Sequence, residues 1–89
     1  MAKYRPVSTE IAAPTTSGTA VTVSDAHVVR VTNTASSSPY LVSMVDENDN
    51  VVSTVTVLGS EVLLIDKPKA WKMFAANAAV KFVSVTYPT

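Results

Sequence analysis

Residues 40–58 read Tyr40-Leu41-Val42-Ser43-Met44-Val45-Asp46, then Glu47-Asn48-Asp49-Asn50, then Val51-Val52-Ser53-Thr54-Val55-Thr56-Val57-Leu58. Two runs rich in β-branched and apolar residues flank four consecutive turn formers. Asn and Asp tolerate left-handed backbone and hydrogen-bond their own turns. The pattern predicts an antiparallel hairpin with strands over 40–46 and 51–58.

Outward from this hairpin the same reading continues. Gly59-Ser60 punctuates the chain, and Glu61-Val62-Leu63-Leu64-Ile65-Asp66 reads as the next strand. The four-residue connection Leu58-Gly59-Ser60-Glu61 predicts a second tight hairpin. Upstream, His27-Val28-Val29-Arg30-Val31-Thr32-Asn33 alternates, with Val29 and Val31 on one face. Thr19-Ala20-Val21-Thr22-Val23-Ser24 alternates too, so a strand over 19–24 is expected, with a turn at Ser24-Asp25-Ala26. Residues 34–39 (Thr-Ala-Ser-Ser-Ser-Pro) are a loop by composition. Residues 80–87 form a last strand, with Phe82 on one face and Val83 and Val85 on the other. Between 67 and 77, Pro68 excludes a central strand. The spacing of Ala70, Trp71, Met73, Phe74 and Ala75 there predicts one short helical turn or a packed loop. Residues 1–12 form an N-terminal arm or edge strand, since Pro6 lacks a donor. The expected fold is all-β: one domain over 1–89, a small antiparallel sandwich or barrel of six to seven strands.

Composition narrows the function. The 89 residues hold seven Lys plus Arg, seven Asp plus Glu, one His and no Cys. Disulfides and thiolate zinc sites are impossible. A neutral balance argues against nucleic-acid binding, which needs excess positive charge. No apolar run approaches the ~20 residues that span a bilayer, and the start Met1-Ala2-Lys3-Tyr4-Arg5-Pro6 lacks a signal-peptide stretch. No nucleic-acid and no membrane partner is expected.

Candidate chemistry is sparse. His27 stands alone, with no nucleophile-elbow glycines, so no catalytic residue is assigned and no enzyme activity is expected. Asp46, Asn48 and Asn50 have calcium-loop spacing, but Val51 and Val57 occupy the positions that need Gly and Glu. A solvated turn fits better, and no metal or cofactor is expected. Lys67, Lys69 and Lys72 flank Trp71, with Lys81 further on. A basic patch beside an aromatic can stack single strands, yet three lysines on a neutral chain fit a soluble loop better. Trp71 and Phe74 read as anchors that plug the sandwich end or dock a neighbour.

One feature bears on assembly. Residues 51–58 are apolar on both faces, and Val62-Leu63-Leu64-Ile65 does not alternate. A small sandwich has one core and should be polar outside. The surplus points to a second buried surface and a homo-oligomer, a trimer first. The plainer alternative is that these strands run through a barrel-like core or beneath the Trp71 loop. Tyr4, Arg5, Trp71 and Lys72 are the interface candidates, being large and outside the best-patterned strands.

Three segments together resemble the small all-β virion proteins of tailed, chiefly marine, bacteriophages. They are Val29-Arg30-Val31-Thr32-Asn33, Gly59-Ser60-Glu61 followed by Lys67, and the strand from Ala79 to Tyr87. The resemblance covers about 26–87. It implies a non-enzymatic virion component, first a capsid decoration or cement protein, assembled in the host bacterial cytoplasm and clamping neighbouring shell subunits. The implied partners are other virion proteins, above all the major capsid protein. A neck, tail or fibre-associated subunit is the alternative within that class. From another class, Trp71, Tyr40 and Tyr87 could form the stacking surface of a carbohydrate- or peptide-binding module.

Overall fold

A computed structural model describes residues 4–86. The strands are β1 (Arg5–Pro6), β2 (Ile11–Ala12), β3 (Val28–Asn33), β4 (Tyr40–Val45), β5 (Val51–Val57), β6 (Val62–Asp66), β7 (Lys72–Ala75) and β8 (Val80–Thr86). They form two antiparallel sheets. The five-stranded sheet runs β1-β8-β3-β6, with β2 further along the same edge of β8, and the three-stranded sheet runs β5-β4-β7. The fold is a small β-sandwich.

Alternation places the core. In β3 the burial pattern alternates residue by residue, with Val29 and Val31 fully buried. Register sets Val31 beside Phe82 and Leu63, and Val29 beside Ser84 and Ile65. From the other sheet come Val42 and Met44 of β4, Val57 of β5, and Met73 and Ala75 of β7. These side chains pack face to face between the sheets, the arrangement that removes one face of each from water.

The hairpin 40–58 is present, as β4 and β5 around a turn at 46–50. Asp46 Oδ1 accepts the Asn48 and Asn50 amides at 2.9 and 3.0 Å, and Asp49 takes φ 64°. The ladder slips between Met44 and Val45, so Val52 is an extra residue on β5.

Three expectations are corrected. The connection 58–61 does turn tightly, with Glu61 N–H bonded to Leu58 O at 3.0 Å. It does not make a hairpin, because β5 pairs with β4 and β6 pairs with β3. The chain crosses between sheets there. Residues 19–24 are not a strand. After a 3₁₀ turn at Ser17–Thr19, only Val21 pairs, in an isolated bridge to Met73. Val23, Ser24 and Asp25 then take left-handed φ near 57°. That conformation costs about 1–2 kcal/mol per non-glycine residue. Burial of Val23 and the Thr22 Oγ1 bond to Asp25 N–H help to hold it. Third, the region before the last strand is no helix. Lys72–Ala75 forms β7, because the free side of β4 offers a ladder that this segment completes.

The N-terminal segment pairs within the chain. Arg5 and Pro6 lie opposite Thr86 and Val85, and Ile11 and Ala12 opposite Phe82 and Lys81. The arm shelters the outer face of β8, where Val83 and Val85 are only 3% and 4% exposed. Part of the apolar surplus is thus consumed internally. Residues 1–3 and Tyr87 lie outside the described residues.

Candidate functional site

The remaining surplus gathers on one rim. β5 and β6 are the edge strands of their sheets, and the 58–61 turn joins them. Six of the seven residues of β5 are exposed, and only Val57 at the turn end is buried. The sheets close at Val57 and splay towards Ser53. The gap is a cleft of about 450 Å³. Val55 and Ser53 face it from β5, Leu63 and Ile65 from β6, and Met44 and Met73 form its floor. Around it Val51, Val52, Val55, Leu58, Val62 and Leu64 are 38–58% exposed. Scattered exposed apolar residues are ordinary, whereas a contiguous group marks a contact surface.

The closed end is pinned by polar groups. Asn33, fully buried at the end of β3, donates from Nδ2 to Ser38 O at 2.8 Å and Val57 O at 3.1 Å. Its Oδ1 accepts the Ala35 amide at 3.0 Å. Glu61 Oε1 accepts the Leu58 amide at 2.9 Å. Gly59 lies so close to the 34–39 loop that a Cβ would sit 2.7 Å from Ser37 Cα. These contacts tie the end of β5 and the turn into β6 to the end of β3 and the 34–39 loop.

The interface candidates fall elsewhere, and none lines the cleft. Arg5 is exposed in β1. Tyr4 lies over the outer face of the five-stranded sheet beside Arg30. The Tyr4 hydroxyl chiefly holds the Arg30 pKa above its ordinary value; desolvation opposes it, and Glu10 reinforces it from 3.1 Å. Trp71 and Lys72 belong to the other sheet's side. Trp71 is half-buried against the core, and Lys72 Nζ pairs with Asp49 at 3.3 Å. Tyr40 is half-buried against the same core. Neither ring is a bare stacking platform.

Lys67, expected on a basic surface loop, is instead buried and only 2% exposed. Its Nζ donates to the carbonyls of Pro68 and Lys69 at 3.2 Å and of Trp71 at 2.9 Å. Burial lowers its pKa below the usual lysine value, against the pull of Asp25. The ammonium is a structural pin for the loop into β7. His27 is exposed ahead of β3 and makes no side-chain hydrogen bond among the described residues. No group of three His, Cys, Asp or Glu is placed to hold a metal among the described residues.

The rim was half legible. The non-alternating run 62–65 and the two-faced valines of 51–58 flagged surplus apolar surface. That both strands would be edges on one side of the sandwich required the topology. Comparison with protein-family models, curated proteins and solved structures found no match.

Proposed function

We propose that this chain is a non-enzymatic structural protein of a tailed-phage virion, first of all a capsid decoration or cement subunit. The exposed apolar rim of β5 and β6 carries the assembly half of this reading. A monomeric domain of 89 residues gains nothing by leaving Val51, Val52, Leu58 and Val62 about half exposed, while an assembly subunit buries them against a neighbour. The virion half rests on the resemblance carried by 29–33, 59–61 and the last strand. The partners are other virion proteins, principally the major capsid protein, together with further copies of this chain. Main-chain and apolar contacts at a sheet edge would supply the adhesion. Repetition over a symmetric shell sums weak contacts into firm binding. A neck, tail or fibre position would use the same surface. The half-buried Trp71 and Tyr40 lend little to a carbohydrate-binding module.

The test is peptide mapping of purified virions from the phage whose genome encodes the chain, with immunogold labelling of intact particles. High copy number and labelling spread over the shell are expected. Labelling confined to the neck or tail would move the protein to that position. Absence from virions would refute the reading.

A further inference from the structure

We propose that β5 pairs antiparallel with β5 of a second copy, about a twofold axis at Val55, joining two three-stranded sheets into one of six strands. This deepens the assembly reading above and rests on it. The sheets present four edges. The β1 and β2 edge is two dipeptides, one with Pro6. The β7 edge is covered: Val21 exchanges both backbone bonds with Met73, at 3.2 and 2.7 Å, and Pro14 O accepts the Ala75 amide at 2.9 Å. β6 is short, starts just after Glu61 and ends in Asp66. The carboxylates at its two ends place charge on that edge, one of the devices that discourage edge-to-edge pairing. Among the described residues β5 alone is long, exposed from Val51 to Thr56 and free of charge and proline. Proteins usually blunt such an edge with Lys, Pro or a covering loop. Here only the bulge at Val52 interrupts it.

The occupant follows from the sequence of the regular ladder, Ser53-Thr54-Val55-Thr56-Val57. Turned antiparallel upon itself about Val55, it opposes Val55 with Val55, Thr54 with Thr56, and Ser53 with Val57. The Val55–Val55 and Thr54–Thr56 pairs are like with like and β-branched, which favours cross-strand packing, and no like charges oppose each other. This register also keeps cleft-facing residues of both copies on one face, because paired residue numbers share parity. The two clefts then adjoin, and Val51, Val52 and Val55 lose exposure together. A twofold contact is self-complementary and closes as a dimer. It therefore differs from the trimer expected from composition alone.

The test is the solution mass of the full chain by light scattering over a dilution series. The wild type should pass from monomer to dimer as concentration rises. Thr54→Lys with Thr56→Lys puts two like-charge pairs across the twofold and should weaken association roughly tenfold or more. Thr54→Glu with Thr56→Glu should do the same. An equimolar mixture of the two should dimerise again, which a merely misfolded variant cannot do. Leu64→Lys on β6 should leave the mass unchanged. In this cysteine-free chain, Val55→Cys should cross-link faster than Ser53→Cys or Thr56→Cys. A wild-type monomer at every concentration, a closed trimer, or charge variants that associate normally would overturn the proposal. A monomer nonetheless present on virions overturns the pairing alone; a dimer absent from virions overturns the virion function alone.

Discussion

Replacing Asn33 with Ala tests whether one side chain holds the two sheets together at the closed end of the cleft. The amide makes three hydrogen bonds, from Nδ2 to Ser38 O and Val57 O and from Ala35 N–H to Oδ1. Each contributes about 1 kcal/mol net, and a buried partner left unmade adds to the cost. Val57 is fully buried, so water cannot readily replace the donor at its carbonyl. The expected loss is about 3–4 kcal/mol. In a domain of this size that lowers the melting temperature by roughly 12–25 °C. Urea and thermal unfolding, followed by circular dichroism, would measure it.

Asn33→Asp sharpens the test. It keeps the acceptor for Ala35 but turns an oxygen towards two carbonyl oxygens. A carboxyl there is forced to stay protonated, so its folded pKa lies above the unfolded value near 4. The folded state then binds more protons between the two values, and stability falls as pH rises through that window. Asn33→Asp should therefore be markedly less stable at pH 7 than near pH 4, relative to wild type. A loss below about 1 kcal/mol for Asn33→Ala, together with no extra pH dependence in Asn33→Asp, would refute the pinning role.

Lys67 has a folded pKa below its unfolded value because it is buried. Between the two values the unfolded chain binds more protons, so this group makes stability rise with pH there. Lys67→Met should abolish that rise, seen as a changing difference from wild type in denaturant unfolding between neutral pH and the ordinary lysine range. Gly59→Ala should cost about 1–3 kcal/mol, since the new methyl meets Ser37 backbone; thermal unfolding would show it, and an unchanged melting temperature would mean that the 34–39 loop yields freely. Asp46→Ala removes the acceptor for two turn amides and should cost about 1 kcal/mol, with faster amide exchange at Asn48 and Asn50.

Where local pattern and final structure part, one physical cause recurs. Thr19 to Ser24 alternates as well as β3 does, yet forms a single bridge and a left-handed turn. Alternation reports which side chains share a face, and a strand also needs an edge to pair with. The Val21 stretch reached only Met73. The segment holding Met73 and Phe74 lacked alternation but met the open side of β4 and became a strand. The Leu58 to Glu61 turn was correctly placed, while its flanking strands went to different sheets. A turn's local chemistry sets where the chain reverses and leaves open which sheet each arm joins.

By itself the sequence determined the all-β class, the β4–β5 hairpin, the strands β3, β6 and β8, and the surplus of apolar positions. These follow from periodicity, turn formers and composition, which act over a few neighbouring residues. Only the tertiary structure decided where the surplus went. Val83 and Val85 were covered by the N-terminal arm, Lys67 was drawn inside to three carbonyls, and β5 with β6 was left as an open rim. Strand order depends on contacts between residues distant in the chain, and no local pattern encodes which edge remains without a partner.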